Sequence, residues 1–150
     1  MAVSRALKRL LRIRELEEEQ SRIALESVLG ELHRVEVALT HSGERERMGR
    51  EMVRASAQSA EPEARQAGLV EMQAAAQTST WLTARKAEVE KEVIEQREAF
   101  LMRQMQRRQA ETLVDEAERR QFAESARKEQ HALDDWHRTR QSRQDDRQDP

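Results

Sequence analysis

The sequence predicts an all-α fold, an antiparallel two-helix coiled-coil hairpin with a longer second helix. Three observations lead there. The first is composition: of 150 residues, 37% are charged and 37% hydrophobic, 20 of the latter being alanine, while aromatics make up 3% with no Tyr. Sheets draw on aromatic and β-branched strands joined by Gly-rich turns, yet only four Gly and two Pro punctuate this chain, the balance of long helices. The second is one strong break, Gln58-Ser59-Ala60-Glu61-Pro62. The third is that folding the chain back at residues 60–61 sets apolar positions opposite one another along the whole first helix.

Ser4 has the side chain of an N-cap, and the first helix is expected over about 4–57. Gly30, Gly43 and Gly49 weaken it without ending it. Pro62 cannot sit in a helix interior but suits the first turn of a new one, so the turn falls at about 58–62 and the second helix at about 63–140. Residues 1–140 thus form a single helical hairpin. The closing segment 141–150 is too polar to bury and is expected to be a disordered tail.

Leu7 and Leu11, then Leu25, Val28, Leu32, Val35 and Leu39, recur at alternating three- and four-residue steps, the signature of an interhelical seam. Arg14, Glu18 and Ser21 interrupt it, while Leu10, Ile13, Leu16 and Ile23 carry the apolar stripe onto an adjacent face. Fold-back sets Met52 against Leu69, Met48 against Met72, Leu39 against Leu82, Leu32 against Val89, Val28 against Val93, Leu16 against Met105 and Leu7 against Leu113, with Val35 against Lys86 as a polar mismatch. Trp81, beside Leu82, reads as a packing anchor. Beyond about residue 118 the second helix outruns the first. There Phe122, Ala126, Leu133 and Trp136 share one face with Glu129 between them, a stripe in want of a partner.

Charge is nearly balanced, 27 basic against 29 acidic side chains, which excludes wholesale wrapping of nucleic acid. The absence of cysteine suits a reducing compartment. No apolar run approaches the roughly 20 residues of a membrane span, so no direct membrane insertion is expected. Residues 1–14 are basic, acid-free and amphipathic, in the manner of a transit sequence or a surface-binding helix. They run into an acidic helical stretch with no small-residue cleavage site and so read as the start of the mature structure.

Two packed helices enclose no pocket, and the chain has no Gly-rich phosphate loop, nucleophile elbow or Cys/His cluster, so neither catalysis nor a cofactor is expected. His131, Asp134, Asp135 and His137 include a His–Asp pair four residues apart, a spacing that can bring two ligands to one metal. Without a third ligand the group reads as a solvated helix end. Arg5, Lys8, Arg9, Arg12 and Arg14 oppose the positive end of the helix dipole. They fit either an anionic docking surface or a solubilising face. Arg103, Arg107 and Arg108, beside Leu101 and Met105, read as a charged flank.

The opening SRALKRLLRIRELEEEQ, with Leu7, Leu10, Leu11, Arg14 and Glu15, resembles the start of the FliJ and YscO family of bacterial type III export stalk proteins. The closing RKEQHALDDWHRTR resembles the end of FliJ-type chains, where a Glu-Gln pair precedes a hydrophobic residue, two acids and an aromatic: here Glu129, Gln130, Leu133, Asp134, Asp135 and Trp136. The resemblance implies a cytoplasmic protein, peripheral to the export apparatus at the inner membrane and shaped like a rotary ATPase stalk. It also implies partners: a hexameric export ATPase, the cytoplasmic domain of the export gate protein and, in the flagellar case, export chaperones. Together with the unpartnered stripe it makes Leu7, Arg9, Leu11, Arg12 and Arg14 candidate contacts at one end, and Phe122, Leu133, Asp134, Asp135 and Trp136 at the other. The stretch Thr40 to Thr80 matches no pattern. Competing readings are a structural or scaffold coiled coil that self-associates and a peripheral membrane binder acting through residues 1–14.

Overall fold

The computed structural model describes residues 4–145, and of Asp145 the backbone alone. It is all-helical, with two long helices packed antiparallel, α1 (Arg5–Ser59) and α2 (Pro62–Asp145). Ser4 caps α1: its Oγ accepts from the Ala6 N–H at 3.3 Å and its carbonyl from the Leu7 N–H at 2.9 Å. α1 ends when Ala60 turns into the left-handed region (φ 58°), a conformation usually left to glycine. Glu61 then lends its carbonyl to the Arg65 N–H at 3.3 Å, and Pro62 supplies the first helical residue, where its missing N–H costs nothing. α2 runs through residues 141–145 as well, because no Gly or Pro interrupts that stretch. The rest of the expected polar tail lies outside the described residues.

The chain divides into two compact units, residues 19–102 and residues 1–18 with 103–150. In the first unit, buried positions recur every seven residues on both helices. They are Val35, Ser42, Gly49 and Ser56 on α1 and Gly68, Ala75, Leu82 and Val89 on α2, joined by Val93. Five of these nine are Gly, Ala or Ser. A Cβ built on Gly49 would stand 3.0 Å from the Gly68 carbonyl oxygen, and one on Gly68 would stand 3.0 Å from that of Gly49, so the two backbones touch. Ser42 uses the same closeness, donating to the Ala75 carbonyl at 2.8 Å with the Ser79 hydroxyl also at 2.8 Å. These bonds satisfy a hydroxyl that is 2% exposed.

The contacts follow the expected fold-back register, but the layers near the turn differ from expectation. Met48, Met52 and Leu69 are exposed, because Gly49 and Gly68 fill the contact and leave no room between the backbones for long side chains. Leu39 and Leu82, Leu32 and Val89, and Val28 and Val93 sit at least half-buried, as expected. Val35 is buried despite Lys86, whose ammonium reaches out to Glu36 at 3.9 Å and Glu90 at 3.8 Å. Trp81 is 65% exposed and anchors nothing: it lies off the seven-residue frame, one position before Leu82. Arg45 pairs with Glu71 at 2.6 Å and Arg85 with Glu31 across the two helices.

Candidate partner-binding surface

The unit built from residues 1–18 and 103–150 holds every candidate contact. Its interhelical seam is thin. On α2 only Ala110 and Val114 are buried, and on α1 Leu7, Leu10 and Leu11 are half-covered. The next turns of α1 meet α2 through polar groups. Arg14 donates to Glu17 at 2.8 Å and to Gln106 at 3.2 Å, Arg103 pairs with Glu17 at 3.3 Å, and Arg107 bridges Glu18 and Glu111. The Glu18 carboxylate, accepting from Arg107, raises that guanidinium's pKa above its ordinary value. The expected apolar layers Leu16–Met105 and Leu7–Leu113 do not form, since Leu16, Met105 and Leu113 are all exposed. The polar residues read from sequence as interruptions occupy the seam themselves.

The basic opening divides accordingly. Arg14 is held by Glu17 of its own helix and Gln106 of α2, Arg12 is 71% exposed beside Glu15 at 3.5 Å, and Arg5, Lys8 and Arg9 are exposed without an ion pair to any described residue. No acidic side chain stands in the first turn of α1 to offset them. Arg103 and Arg107 are engaged with α1, leaving Arg108 as the exposed member of that cluster.

From Phe122 to Gln144 every residue of α2 is exposed. Phe122, Leu133 and Trp136 are 79%, 55% and 54% exposed, and Asp134 and Asp135 point to solvent beside them. Here geometry departs from the expectation that the stripe merely outlives α1. Beside α1 the buried and half-buried positions of α2 include 103, 106, 107, 110, 114 and 117, and the three- and four-residue frame 103, 107, 110, 114, 117 continues as Gln121, Glu124, Lys128, His131, Asp135 and Arg138, polar throughout. Met105 shares the seven-residue frame of Ala126 and Leu133 and is 56% exposed where α1 lies alongside. The stripe therefore does not continue the seam's own frame. Trp136 is buttressed within its own helix: the His137 ring meets it edge-on at 5.1 Å and the Arg140 guanidinium lies 5.3 Å from its centroid.

Among the described residues no group of three His, Cys, Asp or Glu side chains converges on a metal-sized site, and no helix is long and apolar enough to cross a membrane. In comparison with known proteins the chain matches no protein family, no curated protein and no solved structure.

Proposed function

We propose that the protein is a non-enzymatic coiled-coil stalk of a bacterial type III protein export apparatus. In this reading it binds the hexameric export ATPase and the cytoplasmic domain of the export gate protein, couples ATPase activity to export, and works in the cytoplasm at the inner membrane. Support for the coiled coil comes from the strict seven-residue recurrence of buried positions, which imposes a left-handed supercoil when sustained. Support for the stalk comes from the terminal motifs, which resemble those of the FliJ and YscO family. The observation that carries it is the pairing of those motifs in one unit, where an unbalanced basic helix start accompanies an exposed stripe ending in Trp136. An exposed Trp with a flanking cation is the kind of residue that becomes an interface hot spot.

The test is binding of the full chain to an assembled hexameric export ATPase. Trp136→Ala is expected to weaken the complex by about 2 kcal/mol without changing the chain's own melting. Reversing Arg9 and Arg12 to Glu is expected to weaken it further and to abolish its salt sensitivity. No complex with the wild-type chain, or a complex indifferent to both changes, removes the stalk reading.

A further inference from the structure

The outer stripe of α2 is ordered in a way that identifies what can cover it. Between Ala126 and Arg143 the face consists of Ala126, Glu129, Leu133, Trp136, Arg140 and Arg143, at alternating three- and four-residue steps. Its immediate flanks are Gln130, Ala132, His137 and Thr139, none of them an acid, Lys or Arg. Arg127, Lys128, His131, Asp134, Asp135 and Arg138 fall on the remaining face, while Glu129, Arg140 and Arg143 stay on the face itself. A solvated helix end has no cause to keep acids, Lys and Arg off both flanks of one face, whereas a helix meeting another along that face does.

The charges that remain on the face are placed symmetrically. Glu129 precedes Leu133 by four residues and Arg140 follows Trp136 by four, so the midpoint of the apolar pair is also the midpoint of the charged one. Laid antiparallel on a copy of itself, the segment sets Leu133 against Trp136 and Trp136 against Leu133 at the centre. Glu129 then stands against Arg140 on either side, and Ala126 lies under the Arg143 stem at each end. Gln130 and His137 meet along one flank, Ala132 and Thr139 along the other, where small side chains permit close approach. A parallel pair would instead oppose Glu129 to Glu129, Arg140 to Arg140 and Arg143 to Arg143, three like-charge layers. Arg140 is already held over Trp136 at 5.3 Å, on the face where this pairing needs it.

We propose that a second copy of this chain covers the Leu133–Trp136 part of the stripe, through a two-fold antiparallel pairing of residues 126–143. The pairing stands independently of the export reading. It masks Trp136 on both copies, so self-pairing and capture of any other partner by this face exclude each other. Six contact layers on each helix make a small interface, at the weak end of specific association.

Sedimentation velocity of the full chain over a concentration series tests it. The wild-type chain passes from monomer to dimer, and Glu129→Arg or Arg140→Glu alone raises the dissociation constant by about tenfold or more, since each reversal spoils two symmetric layers. The combined swap restores it to within about threefold of wild type, with helicity by circular dichroism equal throughout. In a mixed sample, a spin label at Gln130 of one chain lies close to a label at His137 of the other. A monomer at every concentration, a dimer unmoved by the single reversals, a swap that fails to restore it, or labels that stay far apart overturns the proposal.

Discussion

The two units close their seams by opposite means. In residues 19–102, small and aliphatic side chains let the helices approach until the Gly49 and Gly68 backbones touch. In the other unit, Arg14, Glu17, Glu18, Arg103, Gln106 and Arg107 hold the helices through charged and amide groups, and only Ala110 and Val114 are buried. Close packing gains dispersion and apolar burial that add up along the seam, whereas exposed ion pairs contribute little net. Stability is thus concentrated in the first unit, and the second is left with the exposed surface. A chain needing a partner at one end gains from that division, because the binding end can adapt without unfolding the rest.

The contrast breaks most sharply at Gly49. A Cβ there would stand 2.7 Å from Met72 Cγ and 3.0 Å from two backbone atoms, so Gly49→Val should lower stability by about 3 kcal/mol, read as a large drop in melting temperature. Next comes Val89, fully buried, whose truncation to Ala should cost about 2 kcal/mol. Leu133→Ala, on the exposed stripe, should leave the melt where it is; an equal loss at both sites would mean that the stripe packs within its own chain.

Two changes should stabilise. Nothing lies within 4 Å of a Cβ placed on Gly43, so Gly43→Ala should gain about 1 kcal/mol from helix propensity alone, opposite in sign to any substitution at Gly49. Ala60→Gly should gain somewhat under 1 kcal/mol by relieving the left-handed residue that ends α1. Both are read by denaturant midpoint at unchanged slope.

The smallest expected effect sharpens the account of the half-exposed ion pairs. The Arg45 guanidinium, donating to Glu71, holds that carboxyl below the usual carboxylate range. The pair therefore stabilises the folded chain fully above the unfolded carboxylate pKa of about 4.3, and its contribution disappears as pH falls through the lower folded value. Melts recorded from neutral pH into that acid range should show a slightly shallower loss for Glu71→Gln than for wild type. An identical acid profile would show that the pair contributes nothing.

Helices, turn and register were legible because they rest on strong local signals: Ser4 as cap, Pro62 as breaker, and Leu25 to Leu39 at regular steps. The stretch Thr40 to Thr80 was opaque for a physical reason. Its seam consists of Ser42, Gly49, Ser56, Gly68 and Ala75, which bury backbone against backbone and register on no hydrophobicity pattern. Size misled in turn at Trp81, Met48 and Met52, where large side chains stand off the frame that decides burial. The apolar stripe was visible as a stripe, but its face was not. Extending the seam frame of α2 past residue 117 would have reached Glu124, Lys128 and His131, and shown that Phe122, Leu133 and Trp136 stand off that frame.

The two-residue connection at Ala60 and Glu61 has a consequence for how such a chain can change length. With so little slack between Ser59 and Pro62, the layers nearest the turn are fixed by counting outward from it along both helices. One residue gained on either side would rotate what lies beyond it by about 100° and set Arg50 in the place of Gly49, or Ala67 in the place of Gly68, where the two backbones now touch. Length can be added to this part of the molecule in matched steps, seven residues on each helix, each step extending it by roughly 10 Å. Lineages of this chain should therefore differ by whole paired repeats, and an unpaired insertion should appear only with a rebuilt turn.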